Sequence, residues 1–135
     1  MNAVLNLLFP PKCPFCTRLY MQEEYGAVMC RKCAIDFPYL KRGEDTVKAR
    51  FCDKVIAAAK YEVAVREAIC RYKFGGRMSY ARQFGKILAE KLMEYPEIEY
   101  DFITWVPVSR RRLHERGYDQ AKLLTREVAQ ELNMQ

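Results

Sequence analysis

The chain has 135 residues, 50% of them hydrophobic, with 23 lysines and arginines against 17 acids for a formal charge of +6. This suffices for one compact domain with a small satellite, and the apolar content excludes a disordered or low-complexity chain. The apolar run Ala3 to Phe9 is interrupted by Asn6 and lacks a basic lead-in. It fits neither a secretory signal nor a membrane-spanning helix, so a cytoplasmic protein without a membrane span is expected.

Cysteines dominate the first unit. CPFC at Cys13 and Cys16 and CRKC at Cys30 and Cys33 place thirteen residues between two C-x-x-C knuckles. Each knuckle brings two sulfurs to one ion and the intervening loop returns the chain, the pattern of a tetrahedral four-thiolate zinc site. With four protein ligands the zinc is structural, and four thiolates on Zn2+ carry a charge of minus two. A thioredoxin-like redox role fits less well, because the two pairs come together in a loop-rich stretch and not after one strand. Disulfides are not expected in a reducing compartment. The prolines at 10, 11 and 14 rigidify the start of this unit, and a charged segment, KRGEDTVKAR, links it to the remainder. The remaining cysteines, Cys52 and Cys70, read as small core residues.

The second unit begins with VIAAAKYE at 55–62, which has the look of a strand. Helical spacing of Val65, Ala68, Ile69 and Tyr72 follows, stopped by Gly75 and Gly76. Ser79 is placed to cap a longer helix to about Tyr95, with Ala81, Phe84, Ile87, Leu88 and Leu92 on one face. YDFITWVPV at 100–108 predicts a strand buried on both faces of a parallel sheet. A loop with four arginines comes next, then a helix from about Asp119 with Ala121, Leu124, Thr125, Val128 and Leu132 at helical spacing. Strand, helix, helix, strand, loop, helix is the order of an α/β unit.

Between Ser109 and Arg126 six basic residues face two acids, the densest positive charge in the chain. In open α/β sheets ligands bind beyond the carboxyl ends of strands, and the amides of a following helix favour anions. Guanidinium groups fork onto phosphate oxygens and stay charged. Ser109, Arg110, Arg111, Arg112 and Arg116 are therefore a candidate anion site, with a solvated basic surface as the alternative. His114 reads as a further phosphate donor or an exposed loop residue.

LLFPPKCPFC, CRKC, AAKYEVAVREAICRYKFGG and VPVSRRRLHERGYDQAKLL, in that order, cover nearly the whole chain and resemble the ComF (competence protein F) family of phosphoribosyltransferase-like proteins. The resemblance implies a small N-terminal four-cysteine zinc finger of double zinc ribbon-like form at 1–44. At 45–135 it implies the first part of a type I phosphoribosyltransferase-like fold. Cys13, Cys16, Cys30 and Cys33 would hold zinc. Arg110, Arg111, Arg112 and Arg116 would contact the pyrophosphate of phosphoribosyl pyrophosphate, with its Mg2+. Lys73 is a further such contact, or a C-terminal helix lysine complementing the dipole.

Two features depart from the family. Asp119 stands where asparagine is common, and an acid there repels phosphate unless it caps the following helix. No segment has the two acids and threonine-glycine turn that hold the 5-phosphate and ribose, so the chain reads as an N-terminal portion of a longer protein. No catalytic residue is assigned. Transfer needs pyrophosphate, magnesium and ribose held together, so this chain alone is expected to be inactive.

By resemblance the function expected is DNA uptake in natural transformation, with single-stranded DNA and a competence helicase as partners. Basic residues interleaved with Tyr72, Phe74, Tyr80 and Tyr118 suit strand binding, or these rings belong to the core or its rim. A phosphoribosyltransferase when full length, and a zinc-stabilised interaction module, are the other two readings.

Overall fold

The computed structural model describes residues 10–24 and 26–134, and the apolar run at 3–9 lies outside them. In chain order come a 3-10 turn at Gln22–Glu24, helix α1 (Arg31–Ile35) and strands β1 (Thr46–Ala49) and β2 (Cys52–Ile56). Four helices follow: α2 (Val63–Phe74), α3 (Tyr80–Met93), α4 (Arg110–Arg116) and α5 (Gln120–Glu131). The strands form a two-stranded antiparallel sheet in which Thr46 faces Ile56, Val47 faces Val55 and, past an irregularity, Ala49 faces Cys52. Helices with one small hairpin make a mixed architecture.

Helices α2, α3 and α5 form where the apolar spacing predicts them. α2 buries Val65, Ala68 and Tyr72, one stripe along its length. The Gly75 amide donates to the Arg71 carbonyl at 2.8 Å, and the chain turns through Gly76 at φ 64°, a conformation that glycine adopts without steric cost. α3 begins after Ser79, but that serine is itself helical and its side chain caps nothing.

α3 packs closely on α5 at Gly85. A Cβ there would overlap that of Glu127 and lie 3.3 Å from the Glu127 carbonyl carbon and the Val128 amide nitrogen. Gly85→Ala is expected to destabilise by about 1–3 kcal/mol by overpacking, although alanine is the better helix former by about 1 kcal/mol. Urea unfolding reads this directly, and a midpoint at or above that of the wild type would contradict the close approach.

One apolar cluster runs through both units, joining Cys13, Phe15, Tyr20, Met29 and Cys30 to Ala58, Val65, Ala68 and Ile87. A second gathers Tyr72, Tyr80, Ala81 and Tyr118, so three tyrosines open to a strand-binding reading are core residues. The charged segment after the finger is pinned by a buried clamp. Lys91 Nζ donates to Asp45 Oδ2 at 2.9 Å, to the Leu40 carbonyl at 2.7 Å and to Glu94 Oε2 at 2.7 Å. The Tyr95 hydroxyl and the Gly43 amide donate to Asp45 Oδ1.

Several expectations are corrected. Residues 100–108 form no strand, and Phe102 and Val106 are 77% and 86% exposed. A strand exists by pairing, and among the described residues no segment pairs with this one. The Val108 amide donates instead to Asp119 Oδ2 at 3.2 Å. The parallel sheet of an α/β unit is therefore replaced, among the described residues, by the antiparallel hairpin. Of the strand expected at 55–62 only Val55 and Ile56 lie in β2, and beyond them a single bridge joins Ala59 to Tyr39. β1 falls inside the segment read as a linker. Cys52 is exposed on the hairpin and Cys70 half-buried, so neither is a fully buried core residue.

Candidate functional site

The four finger cysteines come together as their spacing predicts. After CPFC the chain reverses at Thr17, with φ 62°, while the Thr17 amide donates to the Cys13 carbonyl at 2.9 Å and the Cys13 amide to the Arg18 carbonyl at 2.8 Å. Cys30 immediately precedes α1 and Cys33 lies within it, a spacing of three that puts both thiols on one face. All four sulfurs lie within 4.8 Å of one another. A tetrahedral ion with Zn–S bonds of about 2.3 Å needs sulfurs roughly 3.8 Å apart, and Cys16 and Cys30 are at 3.6 Å. Cys13 and Cys30 are buried, Cys33 is half-buried and Cys16 is exposed. The donor set fits one thiophilic ion and zinc in particular; the four residues would hold it, and it would supply a rigid cross-link between the knuckles.

The electrostatics of the thiols favour a cation. Burial opposes ionisation of Cys30, yet the Cys33 amide, the Arg18 guanidinium and the Cys16 thiol bring it down to about 6. Burial pushes Cys13 up, and burial together with the neighbouring thiols pushes Cys33 up. One sulfur thus ionises readily while two neighbours retain their protons, until a cation neutralises the cluster.

Glu24, only 4% exposed, braces the site from beneath. Its carboxylate accepts from the amides of Arg31 and Met21, each at 2.9 Å, and from the Arg18 guanidinium at 2.9 and 3.2 Å. The two amides, with help from Arg18, hold it below the usual carboxylate range. Arg18 follows the first knuckle and Arg31 lies in the second, so this one side chain ties both together.

The arginine segment is a short helix, not a loop. Ser109 caps it, accepting from the Arg112 amide at 3.4 Å, and Gly117 ends it at φ 77°. Asp119 caps α5, accepting from the Lys122 amide at 3.1 Å, so the acid is engaged with backbone amides. Helical periodicity then sorts the arginines. Arg111 pairs with Glu115 at 2.8 Å and is 88% exposed. Arg112 and Arg116, one turn apart, line a cavity, and Lys73 from α2 joins them.

That cavity has a volume of about 510 Å³. Phe15, Phe37, Val65, Ile69, Phe84 and Leu124 are among its apolar walls. Arg116 donates to Gln120 Oε1 at 2.7 Å and stacks over Phe74 at 4.7 Å. Arg112 and Lys73 have no ion-pair partner among the described residues. Of the predicted anion-site residues, the fold brings Lys73, Arg112 and Arg116 to this cavity; Ser109, Arg110 and Arg111 are not among its lining, and His114 is exposed on α4.

Sequence reasoning did not single out Glu24 or Arg71. Arg71 reaches from α2 to donate to the carbonyls of Pro14 and Phe15, both at 2.9 Å. Partners that are backbone groups of another segment leave no mark on spacing. Among the described residues no helix is long and apolar enough to cross a membrane. Comparison with protein-family models, with curated proteins and with solved structures finds no match.

Proposed function

We propose that this chain is a zinc-finger protein of the ComF type that binds phosphate groups at the cavity between α2, α4 and α5. The observation that carries the reading is the convergence of Lys73, Arg112 and Arg116 on one cavity, two of them without an ion-pair partner. Lys73 and Arg112 are exposed at the cavity and Arg116 is half-buried, so the cations remain open to a ligand, and guanidinium groups fork onto phosphate oxygens. The ligands implied are phosphoribosyl pyrophosphate with Mg2+ and the backbone of incoming single-stranded DNA. The proposed role is binding during DNA uptake, with a competence helicase as partner.

The two ligands separate by salt. Single-stranded DNA held through several phosphates loses affinity steeply and log-linearly as salt rises, whereas phosphoribosyl pyrophosphate requires magnesium. On zinc-loaded protein, Arg112→Ala with Arg116→Ala is expected to weaken the ligand that binds by roughly tenfold or more, as loss of charge-assisted hydrogen bonds does. Calorimetry for phosphoribosyl pyrophosphate and fluorescence anisotropy for an oligonucleotide make the measurement. Unchanged affinity for both ligands would remove the cavity from the reading, and an effect of Arg110→Ala alone would move the site to the outer face of α4.

A further inference from the structure

The cavity and the metal centre share structure, and Arg71 is the residue that joins them. Pro14 and Phe15 lie between the two cysteines of the first knuckle, and both of their carbonyls accept from the Arg71 guanidinium at 2.9 Å. The Phe15 ring lines the cavity and packs on Phe37 at 4.7 Å and Phe84 at 5.9 Å between centroids. On the other side of α2, the Tyr72 hydroxyl donates to the Gln120 carbonyl at 2.9 Å, and the Gln120 side chain accepts from Arg116 at 2.7 Å. A continuous chain of hydrogen bonds and peptide units therefore runs from the knuckle through Arg71, Tyr72 and Gln120 to a cavity arginine. Arg71 is poorly provided elsewhere: its Nε is buried without a hydrogen-bond partner, and its one ion pair, to Glu67, is 3.3 Å long and partly exposed.

We propose that Arg71 is a positioning residue that transmits metal occupancy from the first knuckle to helix α2 and the phosphate cavity. The cavity half of this inference rests on the phosphate reading above. An ion shared by Cys13 and Cys16 fixes the peptide units between them, and with them the two carbonyls that Arg71 grips. When the knuckle is loose, the guanidinium loses a fixed pair of acceptors, and the end of α2 that carries Tyr72 and Lys73 loses its tether. Linkage makes the effect reciprocal: whatever factor the metal adds to phosphate affinity, phosphate adds to metal affinity.

The test uses the full chain, zinc-loaded and chelated, as wild type, Arg71→Met and Arg71→Lys. Hydrogen exchange is read at the amides of residues 71–74, zinc affinity by chelator competition, and phosphate affinity with inorganic pyrophosphate as the probe. In the wild type, zinc is expected to slow exchange at 71–74 and to tighten pyrophosphate, each by about tenfold, within the usual range of such couplings. Arg71→Met should still bind one zinc yet lose both responses, with Arg71→Lys intermediate because it keeps the charge and reaches fewer acceptors. A full zinc response in Arg71→Met overturns the proposal, as does a wild-type response confined to residues 13–33. If Arg71→Met does not fold, Arg71→Lys carries the test, and a response equal to that of the wild type overturns it. If pyrophosphate does not bind zinc-loaded wild type while exchange at 71–74 still responds, the phosphate reading fails and the link through Arg71 stands.

Discussion

Removing metal from the four-cysteine site with a chelator is expected to lower the thermal midpoint by more than about 10 °C, and one equivalent of zinc is expected to restore it. The magnitude follows from where the sulfurs sit. Cys13 and Cys30 belong to the apolar cluster that also holds Val65, Ala68 and Ile87, so loosening the finger opens a core shared with α2 and α3. Each thiol is a separate link in that restraint. Cys13→Ser and Cys30→Ser are each expected to abolish stoichiometric zinc binding and to lose as much stability as chelation does. Cys52→Ser, on the exposed hairpin, is the control and should leave both unchanged. Differential scanning fluorimetry with metal analysis reads all three. A midpoint indifferent to chelation, or full zinc content in Cys13→Ser, would contradict the four-thiol site.

Lys91→Met is expected to be the most damaging single substitution outside the finger, lowering the midpoint on the order of 10 °C. Asp45, Lys91 and Tyr95 are 1%, 4% and 3% exposed, and removing the ammonium leaves a buried carboxylate without its counter-charge. Changing Asp45→Asn together with Lys91→Met should recover part of the loss, because the stranded charge then disappears with its partner. The same clamp sets a pH dependence. Burial of Asp45 opposes its charge, but the Tyr95 hydroxyl, Lys91 and the Gly43 amide bring its carboxyl down from 3.8 to about 2. Between those values the unfolded chain binds the extra proton, so the clamp's contribution is complete above the unfolded pKa and is lost as pH falls from 3.8 towards 2. Burial alone would lower the Lys91 ammonium, while Glu94 and Asp45 reverse this and raise it, so its contribution holds below its ordinary value and is lost only as pH rises through the raised one. Acid unfolding followed by circular dichroism should show this loss for the wild type and not for the double variant; identical acid profiles would contradict a clamp of this kind.

The four-cysteine cluster was legible because its thiols come in two local pairs, and two C-x-x-C spacings leave little room for another geometry. Helices α2, α3 and α5 were legible from apolar residues recurring every three or four positions. The hairpin was not, since its residues are nearly all exposed and its strands are only four and five residues long, too short for an alternation to stand out within a charged stretch. Residues 100–108 were misread for the opposite reason: a continuous apolar run resembles a buried strand, but burial requires neighbours that sequence pattern cannot supply. Asp45 sat unnoticed in a charged stretch because Lys91, which justifies its burial, lies 46 positions away. The anion site was legible only as a cluster of arginines. Which of them face the cavity depends on the segment being helical, and on α2 bringing Lys73 alongside.

The most direct test of the cavity as a phosphate site is an amide and side-chain NMR titration of zinc-loaded protein with inorganic pyrophosphate. A phosphate held in the cavity shifts Lys73, Arg112, Arg116 and Gln120 together and saturably, and Arg112→Ala with Arg116→Ala abolishes the shifts. Shifts confined to Arg110 and Arg111 on the outer face of α4, or none that saturate, would contradict it and leave the arginines as solvated surface.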